Sequence, residues 1–234
     1  MWRRLSAFAL WGTLAFGADV CQGLPPAPSE SVADGHRSGV FRLSVKPGGP
    51  TFRITIRSIP IESHDGIFVR AGDIEVARCR DGTRLQLIAL MAWQSDVYFA
   101  SSFHAQDINF DGYLDFAVLA EFGGTWGSEW WWVYDPTAGR FVQNELTRDL
   151  RGLKAAECDI DPKKQEIMTR YTTERWGCGS TGDRYRVANN RLMIVHKEVP
   201  KAAENGCRVI VSDLVGGTMR VTDVRRFVDG EPVK

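Results

Sequence analysis

DRYRVANNRLMIVHKEV, residues 183–199, sets two runs of β-forming residues on either side of Asn189-Asn190. Asparagine tolerates positive φ, so a pair of them between such runs predicts a hairpin turn. Polar and apolar residues alternate along both arms, as antiparallel strands with one wet face require. The same unit recurs outward. Downstream, CRVIVSDL (207–214) and MRVTDVRRF (219–227) flank Gly216-Gly217. Upstream, FRITIRSI (52–59), DIEVARC (73–79), TRLQLIALM (83–91), LDFAVLAE (114–121) and EWWWVY (129–134) alternate with turn signals at Lys46-Pro47-Gly48-Gly49, Asp81-Gly82 and Asp135-Pro136. Only Asn144 to Arg151 reads as a short helix. Strands joined by turns, with almost no helix to supply crossovers, predict an all-β antiparallel fold. Its strands would form a sandwich or propeller-like sheets.

The chain of 234 residues balances 29 Lys and Arg against 29 Asp and Glu. It contains no long basic run, so the sequence gives no sign of nucleic-acid binding, which needs clustered cations to neutralise phosphates. Met1 to Arg4 are basic, Leu5 to Phe16 are largely apolar, and Ala15 and Gly17 form a small-x-small pattern. Residues 1–17 therefore read as a secretory signal peptide, and no transmembrane segment is expected. Cleavage there removes Arg3 and Arg4 and no acid, leaving 27 basic against 29 acidic residues. Residues 18–39, rich in Pro, Ser and Gly, read as a flexible linker. The remainder, 40–234, reads as a single all-β domain, periplasmic or secreted.

Cys21, Cys79, Cys158, Cys178 and Cys207 all follow the leader. In an exported protein they favour disulfides over metal ligation. Cys21 lies where a lipoprotein carries its acyl chain, which makes it a candidate lipid anchor, although Ala18-Asp19-Val20 depart from the usual pattern. Setting it aside leaves four cysteines and three connectivities, of which Cys158–Cys178 with Cys79–Cys207 is preferred because the first closes a local loop.

The sharpest local signal is DINFDGYLD, 107–115. Asp107, Asn109, Asp111 and Asp115 place oxygens at positions 1, 3, 5 and 9, with Gly112 at position 6 and the Tyr113 carbonyl at 7. Ca²⁺ takes six to eight oxygens, and alternate residues of a curled loop can converge on one ion. An EF-hand is excluded, since position 12 is Val118 and a strand follows. A polar turn closed by Asx hydrogen bonds is the competing reading.

At this loop the chain also resembles a known family. DINFDGYLDFAV (107–118), WVYDPTAGRFVQNELT (132–147), DIDPKKQEIMTRYT (159–172) and YRVANNRLMIVHKEV (185–199) are similar to an exported bacterial family with FG-GAP or VCBS-like calcium motifs. That family includes periplasmic immunity proteins against lysozyme-like effectors of type IV secretion. The resemblance implies Ca²⁺ at Asp107, Asn109, Asp111 and Asp115, and a peptidoglycan hydrolase as partner. Inhibitors of this kind insert a loop bearing serine, glycine and tyrosine into the enzyme cleft. The nearest equivalent here is Ser180, Gly182 and Tyr185 within RWGCGSTGDRY (175–185), with looser spacing. A hydrolase cleft holds two carboxylates, so Arg184 and Arg175 would add charged donors. The competing reading is a disulfide-tethered hairpin.

FGGTWGSEWWW (122–132) offers a second surface. Trp126 is a candidate contact residue, and a sugar-binding platform is the alternative function. Neighbouring strand residues point to opposite faces, so Trp131 must face away from Trp130 and Trp132. The histidines His36, His64, His104 and His196 accompany no GxSxG, HExxH or phosphate-cradling motif. The sequence thus points to a binding protein and not to an enzyme.

Overall fold

The computed structural model describes residues 19–26, 29–33, 36–61, 69–92, 103–123, 126–153, 157–172, 178, 180–228 and 231–233. They form three antiparallel meanders. The first sheet runs in chain order through β1 (Ser29–Ala33), β2 (His36–Ser44), β3 (Thr51–Ile61), β4 (Val69–Arg78) and β5 (Arg84–Ala92). The second contains β6 (His104–Gln106), β7 (Asp115–Gly123), β8 (Trp126–Asp135) and β9 (Arg140–Val142). The third follows the lone helix α1 (Glu145–Arg151) and contains β10 (Glu157–Asp161), β11 (Glu166–Thr172), β12 (Ser180–Ala188), β13 (Arg191–Ala203), β14 (Gly206–Val215), β15 (Thr218–Val228) and β16 (Glu231–Val233). The all-β expectation holds.

The turns carry the predicted chemistry. Asn189 and Asn190 both have positive φ, 51° and 56°, and Gly216 and Gly217 likewise, 59° and 79°. Two such residues make the turn whose twist matches that of the flanking strands. Asn144 caps α1: its side chain accepts from Thr147 N, and the Thr147 hydroxyl answers the Asn144 backbone N–H. This satisfies donors that a helix start leaves open.

The second sheet is the middle layer. Phe116, Val118, Trp132 and Tyr134 face the first sheet and pack on Phe41, Phe52, Ile54 and Val76. Ala117, Trp131 and Val133 face the other way, onto Leu146 and Leu150 of α1 and Ile167 of β11. Burial on both faces explains why β7 reads as an almost continuous apolar run. It also gives each tryptophan of 130–132 a packing role: Trp130 and Trp132 belong to one core, and Trp131 to the other.

Three expectations are corrected. The proposed linker 18–39 contains β1 and the start of β2, paired from Ala33↔His36 to Ser29↔Val40. The segment before β1 is also tied down, by Val20 N donating to Cys79 O at 2.9 Å and Arg42 N to Pro25 O at 2.8 Å. The disulfides are Cys21–Cys79 and Cys178–Cys207, so the expected pairs Cys158–Cys178 and Cys79–Cys207 do not form. Cys79 directly follows β4 of the first sheet and Cys207 lies near the start of β14 of the third, whereas Cys21 lies with its Cα 5.2 Å from that of Cys79. Cys158 lies on edge strand β10 and is unpaired. A buried Cys21 whose sulfur is spent in a disulfide has no thiol for acylation, which removes the lipid anchor. The proposed signal peptide lies outside the described residues. No helix among the described residues is long and apolar enough to cross a membrane.

Candidate functional site

The acidic loop joins β6 to β7 and is closed by its own side chains. Asp107 accepts from Asp111 N (3.1 Å) and Gly112 N (2.9 Å), Asn109 from Asp111 N (3.1 Å), and Asp111 from Tyr113 N (2.9 Å). Phe110 at φ 61° and Gly112 at φ 85° supply the two left-handed residues that curl the chain. Asp115 turns inward. It is fully buried, and its two oxygens accept from Ile108 N (3.0 Å) and Tyr134 N (2.7 Å). Burial pushes its carboxyl up to about 7 against those two amides, and the nearby Asp111 and Asp107 charges add to the rise. The carboxylates of Asp107, Asp111 and Asp115 are not gathered within 4.8 Å of one another. Tyr113 anchors the loop to the first sheet, where Lys46 Nζ donates to its hydroxyl at 2.6 Å.

Ser180, Gly182, Arg184 and Tyr185 do not form an insertion loop; they lie along strand β12. The ladder with β11 reaches from Ser180 to Arg186, leaving no projecting tip over these residues. A Cβ at Gly182 would sit 2.5 Å from the Thr169 carbonyl oxygen, so glycine here serves strand packing. Tyr185 is half-buried, and its hydroxyl donates to Asp183 at 3.2 Å. Burial, then the Asp183 charge, raises its pKa. Arg175 lies outside the described residues. Trp126 opens β8 in register with Gly123.

What the sequence did not reveal is a parting of β12 from β13. Their ladder runs from Ala188↔Arg191 only as far as Arg184↔His196. Beyond it, side chains replace ladder bonds: Gly182 N donates to Glu198 at 3.0 Å, and Glu198 N donates to Asp183 at 3.1 Å. Backbone donors must find partners, and the two carboxylates serve them across the gap. The parting opens a groove of about 250 Å³ lined by Ser180, Gly182, Asp183, Arg184, His196 and Glu198.

The charges in this groove differ in how firmly they are held. Desolvation pushes the Glu198 carboxyl up, but Arg225, the Gly182 N–H and His196 together hold it below the usual carboxylate range. His196 Nδ1 lies 2.6 Å from Asp213 and Nε2 3.3 Å from Glu198. Arg184 is looser. It is 3.6 Å from Glu166 and 3.7 Å from Asp213, outside hydrogen-bond distance, and partly exposed. Ser180, four residues away along the same strand, is exposed.

A second cavity, about 230 Å³, lies between β8, α1 and the β10–β11 hairpin. Trp131 meets His104 edge-on at 5.1 Å, and His104 Nε2 lies 3.5 Å from Glu129. The alternation that separates Trp131 from its neighbours also places Glu129 on this side, so the pair was readable from EWWWVY. Burial raises Glu129 against the opposing pull of His104. Cys158 is exposed on the edge strand, but desolvation of its sulfur against the cavity wall, and then the Glu129 charge, push the thiol up to about 12.

In comparisons with known proteins, no family model, curated protein or solved structure matches the chain.

Proposed function

We propose that this is an exported, non-catalytic binding protein that inhibits a peptidoglycan hydrolase of lysozyme type by docking the β12–β13 groove on the enzyme. The observation that carries this reading is the loosely held Arg184 in the groove at the parted strands, which Ser180 also lines. A glycosidase cleft presents two carboxylates, and a guanidinium without firm partners can turn to one of them in a bidentate, charge-assisted contact. The resemblance over 107–199 supports the same partner class. Because Ser180 to Tyr185 form a strand, docking is by a sheet face and not by a plug. Sugar stacking on Trp130 to Trp132 is disfavoured, since these side chains belong to the two cores.

Calcium at Asp107, Asn109, Asp111, the Tyr113 carbonyl and Asp115 is the second part of the proposal. Its support is the curled loop and the Asp107 and Asp111 charges, which add to the rise of the buried Asp115 carboxyl. A divalent cation would offset that repulsion and stiffen the turn. Calorimetric titration against purified lysozyme-type hydrolases, with Ca²⁺ and with chelator, tests both parts. Binding to at least one enzyme, with a melting temperature lowered by chelator, is expected. No binding removes the first part, and an unchanged melting temperature removes the second.

A further inference from the structure

The outer face of β13–β15 carries a row of like charges that no single stretch of sequence reveals. Lys201 is directly opposite Arg208, and Arg208 is directly opposite Arg226. Direct partners share a face, so three cations stand side by side across three strands, all exposed. None forms an ion pair with a described residue. Lys197, opposite Ser212, adds a fourth cation on the same face. The one acid paired into these rows is Glu231, opposite Val228.

Like charges directly opposite on neighbouring strands are unfavourable, and a negatively charged surface laid on the row would relieve them. The apolar neighbours narrow what that surface is. Val199, Ile210 and Val224 form the next row. Val221, Val224, Val228 and Val233 are 63%, 48%, 43% and 50% exposed around the cations. A soluble polyanion has no use for protruding valines. A second copy of this face would set one cation row against another.

We propose that the outer face of β13–β15 docks on an anionic lipid bilayer, with Lys201, Arg208 and Arg226 on headgroup phosphates and the surrounding valines in the headgroup boundary. Basic residues at such a surface act with exposed apolar side chains that enter the interface. The opposite face of these strands, carrying the Cys178–Cys207 disulfide with Val209, Val211 and Phe227, remains the packed side.

Co-sedimentation of the whole protein tests this, using vesicles of mixed phosphatidylglycerol and phosphatidylcholine and vesicles of phosphatidylcholine alone. The protein should bind the anionic vesicles selectively and lose affinity as salt rises. Combined Lys201→Gln, Arg208→Gln and Arg226→Gln should weaken binding on the order of a hundredfold, at about fivefold per cation. That variant removes repulsion and should melt no lower than the parent. Val224→Ser with Val228→Ser should weaken binding with every charge retained. Equal binding to both vesicle types, or undiminished binding by the triple variant, overturns the proposal. So does retention by soluble polyglutamate with no binding to anionic vesicles, which would make the face a site for an acidic partner.

Discussion

β7 of the middle sheet and β15 near the end of the third are both ladder-paired strands, yet they live in opposite surroundings. From Asp115 to Val118 every residue of β7 is buried, with core on both faces. β15 is exposed along most of its length on both faces and touches a small cluster through Phe227. The ladder is common to both, so the difference is burial. The middle sheet holds the fold together, and the β13–β15 end is left with side chains that stability does not require.

Substitutions should separate the two regions sharply. Asp115→Ala leaves the N–H groups of Ile108 and Tyr134 buried without their acceptor, an expected loss of about 3–5 kcal/mol by urea denaturation. Val221→Ala on β15 should stay within about 0.5 kcal/mol. Equal effects would break the comparison.

The second test is pH. Burial holds the folded-state Asp115 carboxyl up to about 7, well above the usual carboxylate range, so the native state holds the proton more tightly. The stabilisation from this group is therefore complete below about pH 4 and is lost as pH rises through about 7, on the order of 3 kcal/mol. Thermal melts in chelator should show that fall, and excess Ca²⁺, by favouring the ionised carboxylate, should flatten it. A calcium-independent profile would leave the loop as a hydrogen-bonded turn alone.

Next in size is the disulfide of the exposed end. Replacing Cys178 and Cys207 by Ser together should cost about 2–3 kcal/mol. Hydrogen exchange should quicken in β14 and β15 while β7 and β8 stay protected. Faster exchange throughout the chain would mean that the end is as integral as the middle. Smaller again is the cost of Gly182→Ala, about 1–2 kcal/mol, because a methyl group there meets the Thr169 carbonyl and forces the strands apart.

Features set by neighbouring residues were legible in the chain. Asn189-Asn190 and Gly216-Gly217 are turns, Asn144 caps the single helix, and Trp131 faces away from Trp130 and Trp132, all by local rules of φ, capping and alternation. Features set by distant partners were not. Cys21 finds Cys79 across 58 positions, which no spacing rule foretells. The polar 18–39 stretch contains a strand pair, Ala33↔His36 to Ser29↔Val40, that its composition does not announce. The strand that the sequence starts at Asp183 extends back to Ser180 through its ladder with β11, a partner that local spacing does not reveal. The groove at the β12–β13 parting and the Lys201–Arg208–Arg226 row depend wholly on strand register.

The central claim is that the groove, with the loosely paired Arg184 as its donor, engages a peptidoglycan hydrolase. Its most direct test is to titrate lysozyme-type hydrolases with the parent protein, with Arg184→Ala and with Arg226→Gln, following inhibition of wall digestion in Ca²⁺. Inhibition by the parent, about thirtyfold weaker with Arg184→Ala and unchanged with Arg226→Gln, is the predicted result. Undiminished inhibition by Arg184→Ala, or none by the parent against any such enzyme, would contradict it.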